Sequence, residues 1–147
     1  MLRFKTADWR EGLKSVIPFV PVKSALPILT SILIMLKDKV LTMTGSDLET
    51  SAIWSKEVEF NGNPDESFAI VLNAVHLKSI FEGIKTDKFQ FEELPKSRVR
   101  IYGDMFNHIV SGETKDDFPS EFEQVYTGEY EINSMHIGII KKKKKFA

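Results

Sequence analysis

Two stripes of apolar residues at helical spacing, separated by short segments in which apolar and polar residues alternate, constrain the fold of this chain most. The first stripe contains Trp9, Leu13, Val16 and Ile17, and the second contains Leu77, Ile80, Phe81 and Ile84. Between and after the stripes, β-branched and aromatic residues recur with a period of two, which is typical of half-buried strands. Runs of strands around two helices predict an α+β fold in which both helices pack on antiparallel β-sheet.

Capping residues indicate where the two helices begin. Asp8, with Glu11 three residues later, matches a capping box, so we expect the first helix over Asp8 to Ile17. Asn73 is a favourable N-cap for the second helix, which we expect to end at Ile84.

The end of the chain repeats the order of elements at its start. Tyr130 to Ile132 is a short predicted strand, and Asn133 or Ser134 then begins a predicted third helix that carries the lysine run. A strand followed by a helix also opens the chain. We therefore predict one domain over residues 1–126 and the beginning of a second copy, a strand and a lysine-rich helix, over residues 127–147.

The composition excludes several classes of protein. Because the chain has no cysteine, it has no disulfide, no thiolate nucleophile and no cysteine-ligated metal. The longest apolar run, Ile32 to Leu36, is far shorter than the ~20 residues of a membrane helix. Met1 to Lys5 has no apolar core behind its charges, as a signal peptide would. We therefore expect a cytoplasmic protein that does not contact a membrane.

Charge is unevenly distributed along the chain. The net charge is −1. Because the five consecutive lysines Lys141 to Lys145 are all positive, the rest of the chain has a net charge of −6. Proteins that bind nucleic acid over a large surface are usually basic throughout, so any DNA contact here must be local.

Three sequence marks resemble those of bacterial DNA polymerase sliding clamps, the beta subunits of the replicative polymerase. They are Leu26-Pro27-Ile28-Leu29, the run from Leu41 to Glu49, and Asp117-Phe118-Pro119. The positions of the two helices and the strands between these marks also agree with the first domain of that family, over residues 2–126. Since subunits of the family have three such domains, we expect the chain to be a fragment, the alternative being a natural short form that oligomerises.

The resemblance implies a DNA clamp fold and a function without chemistry. In the family, two subunits form a ring around duplex DNA, with helices lining the hole and sheets on the outside. The implied partners are double-stranded DNA, bound without sequence specificity, the replicative DNA polymerase, the clamp loader, and a second subunit in a homodimer. The implied protein is not an enzyme and uses no cofactor or metal.

Cations near the first helix are the main DNA-binding candidates. Arg10 and Lys14 lie on the polar side of that predicted helix, and Lys23 lies on the loop that in clamps approaches the duplex. Such cations bind phosphates without reading bases, which suits sliding; the alternative is a solvated helix face. A second group, on the predicted third helix, contains Lys141, Lys142 and Lys145, for which the alternative is a frayed terminus.

By resemblance, four residues belong to the subunit interface. They are His76, Ile80, Ile84 and Phe106. Ile80 and Ile84 also belong to the second apolar stripe, so a place in the intramolecular core is the alternative for both.

Two other functions stay open from the sequence. A metal-dependent enzyme of DNA metabolism would need its acidic residues to converge, the candidates being Asp47, Glu49, Asp116 and Asp117. Most of these lie in turn-like segments, where Asp is expected for backbone reasons. The other alternative is a stand-alone interaction module with a clamp-like fold.

Overall fold

The computed structural model describes residues 1–24, 27–47, 50–114, 118, 124–132 and 135–142, with residue 27 and the last two ranges as backbone only. Its α-helices are α1 (Thr6–Val16) and α2 (Ala74–Gly83). Short 3₁₀ turns cover Ile17–Phe19 and Pro27–Thr30. The strands are β1 (Leu2–Lys5), β2 (Ser31–Lys37), β3 (Val40–Ser46), β4 (Thr50–Glu57), β5 (Phe60–Asn61), β6 (Phe68–Asn73), β7 (Lys88–Leu94), β8 (Arg98–Tyr102), β9 (Asn107–Ser111), β10 (Gln124–Ile132) and β11 (Met135–Lys142). No helix in these ranges is long and apolar enough to cross a bilayer.

The strands form two antiparallel sheets. Sheet A has the order β5-β1-β7-β8-β9, and sheet B has the order β10-β11-β4-β3-β2-β6. The N-terminal strand β1 lies inside sheet A, where Leu2 is opposite Phe91 of β7. After β9 the chain reaches the outer edge of β6 through a bridge between Val71 and Glu113. This bridge joins the two sheets.

Aromatic rings fill the space between the helices and sheet A. Phe4 of β1 and Phe89 of β7 point inward, and Trp9 of α1 contacts both, with ring centroids 5.4 and 5.2 Å apart. Phe81 of α2 stacks on Trp9 at 5.6 Å. The buried stripes of the two helices therefore meet over one face of the sheet, and the predicted architecture of two helices packed on antiparallel sheet is confirmed.

A glycine brings α1 close to sheet B. A Cβ atom on Gly12 would lie 2.6 Å from Sδ of Met43 and 2.7 Å from Cε3 of Trp54. Any side chain at this position would force Met43, Trp54 or the helix itself to shift. The sequence places Gly12 between Glu11 and Leu13, where only the structure shows what it faces.

The hairpin predicted around Lys37-Asp38 is present but turns one residue later. Its loop is Asp38-Lys39, and both residues have positive φ, 51° and 65°. Two residues of positive φ form the type I′ turn that matches the twist of antiparallel strands. The preceding strand begins at Ser31 rather than at the predicted Ile28, because Pro27–Thr30 forms a 3₁₀ turn.

The predicted capping box of the first helix is wrong. The helix begins at Thr6, two residues before Asp8, and no side chain caps it. The backbone N–H of Thr6 donates to the carbonyl of Asp87 at 2.8 Å, so a neighbouring segment replaces the cap. By contrast, the predicted cap of α2 is confirmed, since the N–H of His76 donates to Oδ1 of Asn73 at 2.9 Å.

The predicted third helix is also wrong. Met135–Lys142 is strand β11, which pairs with β10 on one side and with β4 on the other. Ile137, Ile139 and Ile140 are β-branched and favour a strand once an edge is available for pairing. The domain boundary predicted between residues 126 and 127 falls inside β10, and the division into two domains stays a prediction.

Candidate nucleic-acid interface

A groove of about 440 Å³ lies between α1 and α2. Leu13 and Phe81 are buried and form its apolar floor, whereas Lys14, Lys78 and Glu82 are exposed at its rim. We call this surface the helix groove. It is lined by Arg10, Leu13, Lys14, Ile17, Pro18, Lys78, Phe81 and Glu82. With three cations and one carboxylate, the lining is positively charged, in contrast to the acidic body of the chain.

Arg10 is half-buried and already bonded within the chain. Its Nε donates to the carbonyl of Phe81 at 3.0 Å, and its Nη2 donates to the carbonyl of Ile84. These carbonyls lie at the C-terminal end of α2, where unpaired acceptors and the helix dipole favour a cation. Arg10 therefore links the two helices, and its guanidinium is less available to a phosphate than the predicted outward position implied.

Lys14 and Lys23 are exposed, as the predicted DNA contacts require. Lys14 shares the rim of the helix groove with Lys78 of α2. Lys78 was not among the predicted DNA contacts, because the relative rotation of two helices is not encoded in the spacing along either one. Lys78 is thus a candidate that the sequence analysis missed.

Two carboxylates of α1 share one lysine away from the groove. Lys56 of β4 donates to Oδ1 of Asp8 at 2.8 Å and lies 3.4 Å from Oε2 of Glu11. The hydrogen bond to Asp8 is the main reason that the pKa of Lys56 is raised above 10.5, against the opposing effect of burial. Because Asp8 and Glu11 are paired with Lys56, they oppose a phosphate near α1 less than free carboxylates would.

The lysines at the end of the chain do not lie on a helix. The backbone of Lys141 is opposite Thr50 of β4 and Val125 of β10, and that of Lys142 is opposite Gln124. Lys145 lies outside the described residues. DNA contact by this group stays a prediction, but its premise of a lysine-rich helix is lost.

The predicted subunit-interface residues do not form one exposed surface. Ile80 and Ile84 are only 4% and 1% exposed and belong to the core of the chain. His76 is exposed on α2, and Phe106 is half-buried just before β9. Ile80 and Ile84 therefore lie in the core, as their alternative has it, and His76 and Phe106 are the more accessible of the four. The subunit interface stays a prediction.

Most of the acidic residues of the alternative enzyme function fall outside the described residues, namely Glu49, Asp116 and Asp117. Asp47 is described, and its Oδ1 accepts the N–H of Thr50 at 2.7 Å, as expected of Asp in a turn. In the part of the chain that the structure describes, no three His, Asp or Glu side chains are placed to hold a metal ion.

The sequence model described as DNA polymerase III beta subunit, N-terminal domain, matches residues 2–122. This chain belongs to that family. The match includes both helices and all strands from β1 to β9, and therefore both sides of the helix groove. No curated protein matches the chain in sequence.

Solved structures of beta subunits share this fold. The beta subunit from the DNA polymerase of Streptococcus pyogenes is similar with a TM-score of 0.76 and 20% identity, over 88% of this chain and 34% of that one. DNA polymerase III subunit beta from Pseudomonas aeruginosa is similar with a TM-score of 0.75 and 20% identity, over 88% of this chain and 35% of that one. The DNA polymerase sliding clamp from Bacillus subtilis is similar with a TM-score of 0.71 and 21% identity, over 85% of this chain and 35% of that one. The chain thus spans about a third of the length of these structures.

Proposed function

We propose that this chain is the first domain of a DNA sliding clamp, a processivity factor that encircles duplex DNA and tethers the replicative polymerase to it. The family match over residues 2–122, which covers both helices and the sheet beneath them, carries the proposal. The domain does no chemistry in this function and supplies part of the wall of a ring. The rest of the ring comes from further domains and from a second subunit in this proposal; further domains are supported by the similar structures, of which this chain spans about a third.

In this proposal the helix groove faces the duplex. Lys14 and Lys78 stand on its two rims, and Lys23 lies on the loop after α1. Mobile lysines attract phosphates without fixing a register, so the protein keeps contact with DNA while it slides. Because the ring is topologically closed, each contact can be weak.

Duplex binding by the isolated chain tests this surface. We expect a Kd of ~10⁻⁴ to 10⁻⁶ M for any duplex sequence at physiological salt, and this affinity should fall steeply as salt rises. The groove variant, Lys14→Ala with Lys78→Ala, should weaken binding equally for two unrelated duplexes and reduce the salt slope by about 2. Adding Lys23→Ala should reduce both further. Fluorescence anisotropy at several salt concentrations measures the affinity and the slope together.

A turn variant, Lys37→Ala with Lys39→Asn, is the matched control. It also removes two positive charges, but from the exposed β2–β3 hairpin. Asn tolerates the positive φ of 65° at position 39. The turn variant should bind duplex almost as the unchanged chain does. Equal losses in the two variants would mean that overall charge, not the helix groove, determines binding, and sequence-dependent binding would refute a sliding function.

The subunit interface is assigned to the free edge of sheet A. Among the described strands, β9 pairs only with β8, so its other edge has unpaired backbone groups. Met105 and Ile109 are 90% and 55% exposed beside it, and Phe106 is half-buried there. An edge strand with exposed apolar side chains is suited to pairing with another subunit. The polymerase and the clamp loader are the partners of the complete ring in this proposal.

A further inference from the structure

The outer face of sheet A, opposite the helices, is strongly basic. In each strand the inward residues are buried and the alternate residues point outward, as in β1, where Leu2 and Phe4 are buried and Arg3 and Lys5 are exposed. The outward cations are Arg3, Lys5, Lys88, Arg98 and Arg100. Glu92 is the single acidic residue at the outward strand positions. This concentration of positive charge stands out on a chain whose net charge without its lysine run is −6.

Two of these cations lie where their repulsion destabilises the sheet. Lys5 and Lys88 are directly opposite each other in the β1–β7 pair. Like charges at opposite positions of antiparallel strands repel, which destabilises the sheet. The ion pair of Lys5 with Glu59, at 3.4 Å, offsets little because the Glu59 side chain is 88% exposed. Unfavourable local arrangements are expected at functional sites, and this pair adds to the other observations on the face.

Side chains that recognise planar groups lie among these cations. The strand register places Arg3, Gln90, Tyr102 and Asn107 in one row across four strands. The guanidinium of Arg100 lies 4.0 Å from the centroid of the Tyr102 ring, and its Nε donates to Oδ1 of Asn107 at 2.9 Å. The ring and the guanidinium thus form a stacked pair that is held in place.

A depression of about 360 Å³ adjoins this row. Arg3, Lys88 and Gln90 line it, and Asp87 and Asp104 also belong to its lining. The mixture of an amide, cations and carboxylates offers both donors and acceptors to the edge of a base. The two carboxylates disfavour a phosphate there, so a phosphate backbone is expected to pass over Arg98 and Arg100 instead.

We propose that the outer face of sheet A binds single-stranded nucleic acid. Cations along the face bind the phosphates, and the Tyr102–Arg100 pair stacks on an exposed base, the combination by which sheet surfaces bind single strands. A duplex is a poorer ligand because its bases are already stacked and paired. An acidic peptide would satisfy the cations but not the aromatic ring. The surface is separate from the helix groove, and the inference does not depend on the proposed ring.

Binding of a fluorescent oligothymidylate of about 12 nucleotides to the 147-residue chain tests the proposal. The sheet variant, Arg3→Ala with Arg98→Ala, should weaken binding about tenfold or more at low salt, because each lost phosphate contact also loses its counterion release. Tyr102→Leu, which keeps an apolar side chain but removes the ring, should weaken it about fivefold or more. The turn variant defined above, with the same loss of two charges as the sheet variant, should change the affinity less than about twofold.

Each outcome decides for or against the sheet face. Loss of oligothymidylate binding in the sheet variant and in Tyr102→Leu, with duplex binding retained, supports the proposal. Equal losses in the sheet and turn variants would overturn it, and so would an unchanged affinity in Tyr102→Leu. Equally tight binding of polyglutamate would then assign the face to an acidic protein. Circular dichroism melting checks that every variant is folded. Since duplex binding is measured separately with the groove variant, failure here leaves the clamp proposal standing, and the reverse also holds.

Discussion

Two glycines allow a direct test of how closely α1 lies on sheet B. Gly12→Ala should destabilise the chain by about 1 to 3 kcal/mol, because its Cβ would lie 2.6 Å from Met43 and 2.7 Å from Trp54. This cost exceeds the gain of about 1 kcal/mol that alanine brings to a helix. Gly83→Ala is the control, since a Cβ there meets nothing within 4 Å, and it should stabilise by up to about 1 kcal/mol. Urea unfolding measures both, and a stabilising Gly12→Ala would show a looser contact.

A substitution at Arg10 distinguishes a structural role of this cation from a role in DNA binding. Arg10→Lys keeps the charge but not the fork that reaches the carbonyls of Phe81 and Ile84, so we expect the free energy of unfolding to fall by about 1 to 2 kcal/mol. Duplex affinity should change less than it does in the groove variant. Unchanged stability with a large loss of duplex binding would instead make Arg10 a phosphate contact.

Sequence reasoning at the residue scale predicted the polar side of α1 but not the contacts that distinguish the two cations on it. Arg10 and Lys14 are both on the polar side of α1, and nothing in their spacing distinguishes them. The difference is that the acceptors of Arg10 are carbonyls more than 70 positions away along the chain, at the end of α2. Such long-range partners are fixed by the packing of the helices, which is also why Lys78 was missed.

At the scale of elements, Lys56 connects β4 to α1 through Asp8 and Glu11. Since its pKa is raised above 10.5 in the folded chain, this stabilisation is fully present below pH 10.5 and is lost as the pH rises through the folded-state pKa. Lys56→Met should lower the free energy of unfolding by about 1 to 2 kcal/mol near neutral pH, because it leaves the buried Asp8 unpaired. The difference from the unchanged chain should shrink above pH 10.5.

The control for this ion pair is Lys5→Met, which breaks the exposed pair with Glu59. We expect a change of about 0.5 kcal/mol or less, since exposed ion pairs contribute little. Denaturant unfolding of both variants across the pH range provides the comparison. A Lys56→Met effect that does not vary with pH would assign the loss to side-chain packing rather than to charge.

Elements were predictable where local chemistry and tertiary contacts agree. The Asn73 cap and the apolar stripe of α2 are both present, because the same residues that favour the helix also bury its face. The end of the chain shows the opposite case. Met135 to Lys142 has lysines and an apolar spacing compatible with a helix, but the open edge of β4 offers a full set of backbone partners, and a strand forms.

Dimerisation of the whole molecule provides a test of the free edge of sheet A as the subunit interface. In a full-length protein that carries this domain, Ile109→Asp should weaken dimerisation at least about tenfold, because a charge on an edge strand opposes pairing with a second subunit. Val75→Asp is the matched control: Val75 is 56% exposed on α2, and Ile109 is 55% exposed on β9. Sedimentation velocity over a range of concentrations measures the equilibrium. Dimers that resist Ile109→Asp would place the subunit interface elsewhere.

The position of β1 between β5 and β7 has a consequence for the biosynthesis of the protein. Phe4 is opposite Phe60 on one side and Phe89 on the other, so β1 can pair with β5 before β7 has been made. At ~5 to 20 residues per second, the roughly 30 residues from β5 to β7 take about 2 to 6 s to synthesise, and during this time one edge of β1 is unpaired. A ribosome that stalls before β7 holds a chain in which that edge is open to pairing with another strand.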